Sequence, residues 1–127
     1  SDNKTNASRL IDSLVEPYVK KITNFVGKLS LKESAIQLTK CRFLITTNGG
    51  PMHLANALST PLIALHGPSP DMWLPKGKLV INIKTNKRGR IVGKDPNILY
   101  KNKSVLMRKI RVDEVLNTVN KLVNLTN

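Results

Sequence analysis

The run Thr47-Asn48-Gly49-Gly50-Pro51-Met52-His53 follows directly on the apolar, β-rich stretch Phe43–Thr46. A strand that breaks into a glycine turn and opens a helix aims backbone N–H groups and the positive end of a helix dipole at one point, where an anionic group can sit. The chemistry expected is therefore that of a phosphate seat. Gly49 and Gly50 allow positive φ and close approach of a ligand to the backbone, and Pro51 sits where a first-turn proline costs no hydrogen bond. His53, in the first turn of the same helix, can donate to a phosphate and, if protonated, carry compensating charge. Two plainer readings stand beside this one: the Gly-Gly-Pro run as an ordinary tight turn, and His53 as a helix-face histidine held by the core.

The elements around this run have to position it. Phe43–Thr46 reads as a central parallel strand, Pro51–Leu58 as a helix broken by Ser59-Thr60-Pro61, and Leu62–Leu65 as a second buried strand ending at His66-Gly67-Pro68. Together they make a βαβ unit. Upstream, Leu10, Ile11, Leu14, Val15, Tyr18, Val19 and Ile22 space one helix face over Thr5–Ile22, interrupted at Pro17. Asn24–Gly27 reads as a short strand, and Ser30 with Glu33 as a capping box for the next helix. Downstream, Asp71–Pro75 reads as a loop, Leu79–Ile83 as a strand, and the stretch to about Leu106 as a long basic connection. Asp113 is expected to start a last helix, with Val115, Leu116, Val119, Leu122 and Val123 on one face.

Composition narrows the classes. A chain of 127 residues can bury one core and reads as one domain or part of one. No apolar run approaches the ~20 residues that span a bilayer, and the polar start Ser1–Asn6 has no signal-peptide pattern, so a cytoplasmic location is expected. The single Cys41 has no partner for an internal disulfide or a metal-binding pair, which fits a reducing compartment and a place in the core. Net charge is +13, of which residues 76–111 carry +11, with twelve Lys and Arg against Asp95. Such a block attracts polyanions, and each basic residue near an anionic leaflet contributes about 1 kcal/mol, so peripheral membrane contact is expected from it. Nucleic acid fits less well, because Tyr100 is the one aromatic residue in the block and offers no stacking platform. Asp71, Asp95, Asp113 and Glu114 show no clustered ligand pattern, so neither a metal nor another cofactor is expected.

Three segments carry a family resemblance: Gly27-Lys28-Leu29-Ser30-Leu31-Lys32-Glu33-Ser34-Ala35, then Phe43 to Ala55, then Thr60-Pro61-Leu62-Ile63-Ala64-Leu65-His66-Gly67-Pro68-Ser69. In order and spacing they resemble the G-x-x-S-L, D-[ST]-G-P-M-H-x-A and T-P…G-P-[TS] blocks of glycosyltransferase family 9, the ADP-heptose:lipopolysaccharide heptosyltransferases. Met107 to Val115 is similar to that family's C-terminal helix entry, so the resemblance runs from about Asn24 to Leu125. It implies a GT-B enzyme, with residues 1–127 as part of the C-terminal, donor-binding, Rossmann-like domain and the N-terminal acceptor domain outside the chain. Asn48, Gly49, Gly50, Pro51, Met52 and His53 then fall, with Thr47 before them, on the motif lining the donor's diphosphate and sugar, and Leu29 falls near the adenine. The general base is expected from the other domain, so no catalytic residue is assigned in this chain.

By the same resemblance the partners are an ADP-linked sugar and a lipopolysaccharide or glycolipid acceptor. Two positions depart from the pattern. Asn48 stands where the family has aspartate, and Gly49 where it has serine or threonine, which removes a charge and a hydroxyl. A site weakened by those changes leaves a second reading, a non-catalytic module that binds anions or nucleic acid through residues 76–111. An unrelated nucleotide ligand on a similar two-domain architecture is a third.

Overall fold

The structure, a computed structural model, describes residues 6, 9–10, 13–14, 17–67, 71–85 and 107–127. Its contacts divide the chain into two compact units, residues 1–34 and 35–127.

In the first unit, residues 5, 7–8, 11–12 and 15–16 of the helix expected over Thr5–Ile22 lie outside the described residues. Past Pro17 the chain is a turn followed by one 3-10 turn, Val19–Lys21. The strand expected at Asn24–Gly27 is absent. Asn24 instead bonds the Val26 N–H through its side-chain oxygen at 2.9 Å, the Lys28 N–H closes on the Phe25 carbonyl at 3.0 Å, and Gly27 takes φ 67°. An asparagine bonding two residues ahead and a glycine in the left-handed region turn a chain whose apolar residues alone read as extended. The capping box forms as expected, with the Ser30 N–H on the Glu33 carboxylate at 2.7 Å and the Glu33 N–H on the Ser30 hydroxyl at 3.2 Å. It opens helix α1, Leu31–Lys40.

The second unit is built on a three-stranded sheet, β1 (Leu44–Thr47), β2 (Leu62–His66) and β3 (Val80–Lys84), in the order β1-β2-β3. All pairings are parallel, with Leu44 opposite Leu62 and Leu62 opposite Val80. Helix α2 (Gly50–Ala57) connects β1 to β2, and helix α3 (Val112–Thr126) follows β3. Each strand ends one residue later than the apolar runs suggest, because the last paired residue is the polar Thr47, His66 or Lys84, and β2 starts at Leu62 as expected.

Alternation along β2 sends residues to two separate layers. Leu62 and Ala64 pack with Met52 and Ala55 of α2, joined by Leu38 of α1, Leu44 and Val80. Ile63 packs on the other face with Ile83 and with Leu122 of α3, joined by Val115 and Val119. Helices on both faces explain why β2 is apolar without a polar alternate until His66. The arrangement is Rossmann-like α/β, as the sequence indicated. Four local expectations change. Asp71–Trp73 forms a 3-10 turn within the expected loop. Helix α3 starts at Val112 with Arg111 as the flanking residue, and Asp113 sits in the first turn, where a carboxylate suits the helix dipole and pairs with the Arg111 guanidinium at 2.9 Å. Leu116, expected on the buried face, is 57% exposed. Cys41 is half-buried, its thiol on the Gln37 carbonyl at 3.3 Å, rather than fully in the core.

Candidate functional site

In a parallel sheet the carboxyl ends of the strands and the amino ends of the following helices share one edge, which is where ligands of open α/β sheets sit. Thr47, Asn48, Gly49 and Gly50 occupy that edge here, running from the last residue of β1 into the first of α2. Gly49 flanks the helix start and provides no side-chain cap. Its carbonyl instead takes the N–H groups of Met52 at 3.1 Å and His53 at 3.3 Å. Pro51 has no N–H to offer. Among the described residues the Gly50 N–H has no hydrogen-bond partner, so it is the first-turn donor left for a ligand.

The glycines behave differently from the expectation. Gly49 has φ 163°, extended backbone open to any residue, and Gly50 is helical, so neither needs positive φ. A Cβ on Gly50 would meet nothing within 4 Å, and one on Gly49 would only touch Pro51 Cδ at 4.0 Å. Neither the backbone nor the packing of the fold demands glycine at these two positions. What their missing side chains leave is open backbone at the start of a helix.

The motif's side chains part company. Met52 is fully buried in the core layer between α2 and the sheet, so its thioether cannot line a site. Its place in the motif is structural. His53 is exposed, as are Thr47 and Pro51, while Asn48 is half-buried. Thr47 is bonded locally, its carbonyl accepting from the Thr46 hydroxyl at 3.2 Å. Leu29 belongs to the unit of residues 1–34 and the other seven residues to that of 35–127. Among the described residues no three His, Cys, Asp or Glu side chains gather as metal ligands.

One residue the motif reading missed stands at the same edge. His66 ends β2, one position beyond the Thr47–Leu65 pair, and is fully buried. Its Nε2 lies 2.9 Å from Asn82 Oδ1, and Asn82 Nδ2 donates to the Pro75 carbonyl at 3.0 Å. A carbonyl can only accept, which fixes the Asn82 amide and makes Oδ1 the acceptor toward His66. The imidazole therefore carries its proton on Nε2, and the buried Nδ1 is a bare lone pair with no partner among the described residues. Burial, and more weakly the neighbouring Lys84 ammonium, lower the His66 pKa from its ordinary value, while the Asn82 bond acts in the opposite direction. The only sequence signal was a polar residue closing an apolar strand.

A three-stranded parallel sheet with helices on both faces, and a helix amino end at its carboxyl edge, places the chain in the Rossmann-like α/β class. The family can be given more closely. The chain belongs to glycosyltransferase family 9 (heptosyltransferase), whose model matches residues 1–97. It is similar to lipopolysaccharide heptosyltransferase 2 of Salmonella typhimurium and of Escherichia coli K12, in each case 42% identical over 53 residues, 41% of this chain and 15% of the relative. Lipooligosaccharide heptosyltransferase 2 of Haemophilus influenzae is 38% identical over 52 residues, again 41% of this chain and 15% of the relative. The matched stretch thus spans about 15% of the length of these relatives. No solved structure matches the chain.

Proposed function

We propose that the chain serves the donor side of a glycosyltransferase that moves a heptose, or a related sugar, from an ADP-linked donor to a lipopolysaccharide core or similar glycolipid. The observation that carries this reading is the α2 amino end, with the Gly50 N–H unpartnered among the described residues and open backbone at both glycines. Family membership and the similarity to heptosyltransferases 2 support the substrate class. In this reading Asn48, Gly49, Gly50 and His53 hold the diphosphate and sugar, Thr47 and Pro51 shape the turn, Met52 anchors the helix behind it, and Leu29 contributes toward the adenine.

The reaction is an inverting transfer. A carboxylate from the acceptor-binding domain of a two-domain GT-B enzyme takes the proton of an acceptor hydroxyl, whose oxygen attacks the anomeric carbon. The bond from that carbon to the diphosphate oxygen breaks, and the charge left on the diphosphate is met by the Gly50 N–H, the α2 dipole and His53. Asn48 can hydrogen-bond a sugar hydroxyl without adding negative charge next to the diphosphate. The enzyme works at the cytoplasmic face of a membrane, where the basic residues of 76–111 hold it to anionic lipid. No helix among the described residues is long and apolar enough to cross a membrane.

Calorimetric titration with ADP and an ADP-linked heptose, with UDP in parallel, tests the site. Saturable binding of the adenine nucleotides that weakens about tenfold in His53→Ala supports it, a charge-assisted contact being worth ~1.5 kcal/mol or more. His53 is exposed, so the variant folds. Absence of saturable nucleotide binding, or unchanged affinity in the variant, removes the assignment.

A further inference from the structure

The opposite edge of the sheet holds a second feature, independent of the nucleotide-sugar reading. Helix α2 carries the chain from the carboxyl end of β1 to the amino end of β2, so its two ends lie about 12 Å apart at 1.5 Å per residue. Beside its carboxyl end is a cavity of about 250 Å³ lined by Asn56, Ser59, Thr60, Lys76, Gly77 and Lys78, floored by Leu79 and Val80. At ~30 Å³ per water this is room for several waters, or for a phosphate group with part of what bears it. We propose that this cavity is an anion site that takes a phosphate group, free or carried on a lipid headgroup, between Lys76 and Lys78.

The charge balance favours an anion. Lys76 and Lys78 are exposed and have no acidic partner among the described residues, and no carboxylate lines the cavity. A helix carboxyl end carries roughly −0.5 charge and would oppose an anion. That opposition is largely removed here, because the carbonyls of Leu54, Ala55 and Asn56 take N–H groups from Leu58, Thr60 and Ser59 at 3.0, 2.9 and 3.1 Å. Two ammonium groups outweigh what is left.

The walls are fixed by the fold. A Cβ on Gly77 would stand 3.0 Å from Val80 Cγ2, a tight contact to which the valine methyl would have to give by a few tenths of an ångström, and 3.8 Å from Asn56 Oδ1, so the turn lies close against β3 and α2. The Val80 N–H bonds the Gly77 carbonyl at 3.3 Å and the Leu62 N–H bonds the Leu79 carbonyl at 2.9 Å, tying both ends of the turn to the sheet. The two lysines therefore leave from either side of a pinned residue. Across from them Ser59 adopts φ 57°, a left-handed conformation at which glycine is the usual residue. Serine there keeps a hydroxyl among the cavity's lining residues, and strain of this kind gathers at ligand sites.

The test is an amide chemical-shift titration of the whole chain with inorganic phosphate, followed by co-sedimentation with phosphatidate and with phosphatidylcholine vesicles. Saturable shifts at Ser59, Thr60 and Gly77 that weaken about tenfold in the Lys76→Gln, Lys78→Gln double variant establish the site. Co-sedimentation with phosphatidate vesicles alone, lost in that variant, supports it with lipid as the source; phosphate binding without co-sedimentation supports it with a free phosphate as the source. Shifts confined to 49–53, no saturation, or equal affinity in the double variant overturn it. Because ADP titration reads the other end of α2, either site can fail without the other.

Discussion

Gly50 separates what the fold needs from what a ligand needs. With helical backbone and empty space where a Cβ would go, Gly50→Ala is expected to leave stability unchanged or raise it by up to about 1 kcal/mol. The same methyl stands where a diphosphate would approach the Gly50 N–H, so ADP affinity should drop while the thermal midpoint holds. Parallel loss of both would show that the position serves packing. His66 makes the second residue-level prediction. Its pKa is lowered in the folded chain from 6.5, so the unfolded chain binds the proton more readily. Stability is then full above about pH 6.5 and falls as the pH drops below that value toward the folded pKa. Glu33, whose carboxyl is lowered by the Ser30 backbone and hydroxyl bonds, contributes above its ordinary 4.5 and loses that contribution as the pH falls below it. Denaturant midpoints between pH 8 and pH 5 should therefore decline in the wild type and stay flatter in His66→Gln; the same decline in both would remove the assignment to His66.

Helix α2 shows which elements could be read from the sequence and which could not. Its start was legible because Gly-Gly-Pro after an apolar run admits few local structures, and its stop was legible from Ser59-Thr60-Pro61. The way it stops was not. Ser59 and Thr60 return their N–H groups to Asn56 and Ala55 in the pattern that usually places glycine at the left-handed position. Ser59→Gly should therefore gain about 0.5–1 kcal/mol, measured by chemical denaturation, and a loss would mean that the serine hydroxyl holds the turn. Met52 was misplaced for a related reason. Its position in a motif pointed to a ligand, whereas the helical spacing of Met52 and Ala55 turns both toward Leu62 and Ala64. Met52→Ala is expected to cost about 2–5 kcal/mol. The Asn24–Gly27 turn was hidden because two bonds, one from a side chain, decide it against an apolar pattern.

For the chain as a whole, the parallel sheet was legible because the first two of three short apolar runs are joined by a helix signal as a βαβ unit, and nothing in that pattern depends on distant contacts. The His66–Asn82–Pro75 chain and the cavity beside Gly77 were not, since they join residues whose proximity exists only once β2 and β3 are in register. That register has a consequence in time. Leu44 meets Leu62 and Leu62 meets Val80, each across 18 residues, so the two sheet closures carry similar loop entropy. Leu122 must return to Ile63 across 59 residues. The strands and α2 are therefore expected to assemble in the rate-limiting step, with α3 docking onto a surface already made. Slowed refolding in Met52→Ala, against faster unfolding with little change in refolding in Leu122→Ala, would record that order. The apolar faces of Ile63 and Ile83 are then the last to leave water, and the newly made sheet passes through a moment when one whole side of it is adhesive.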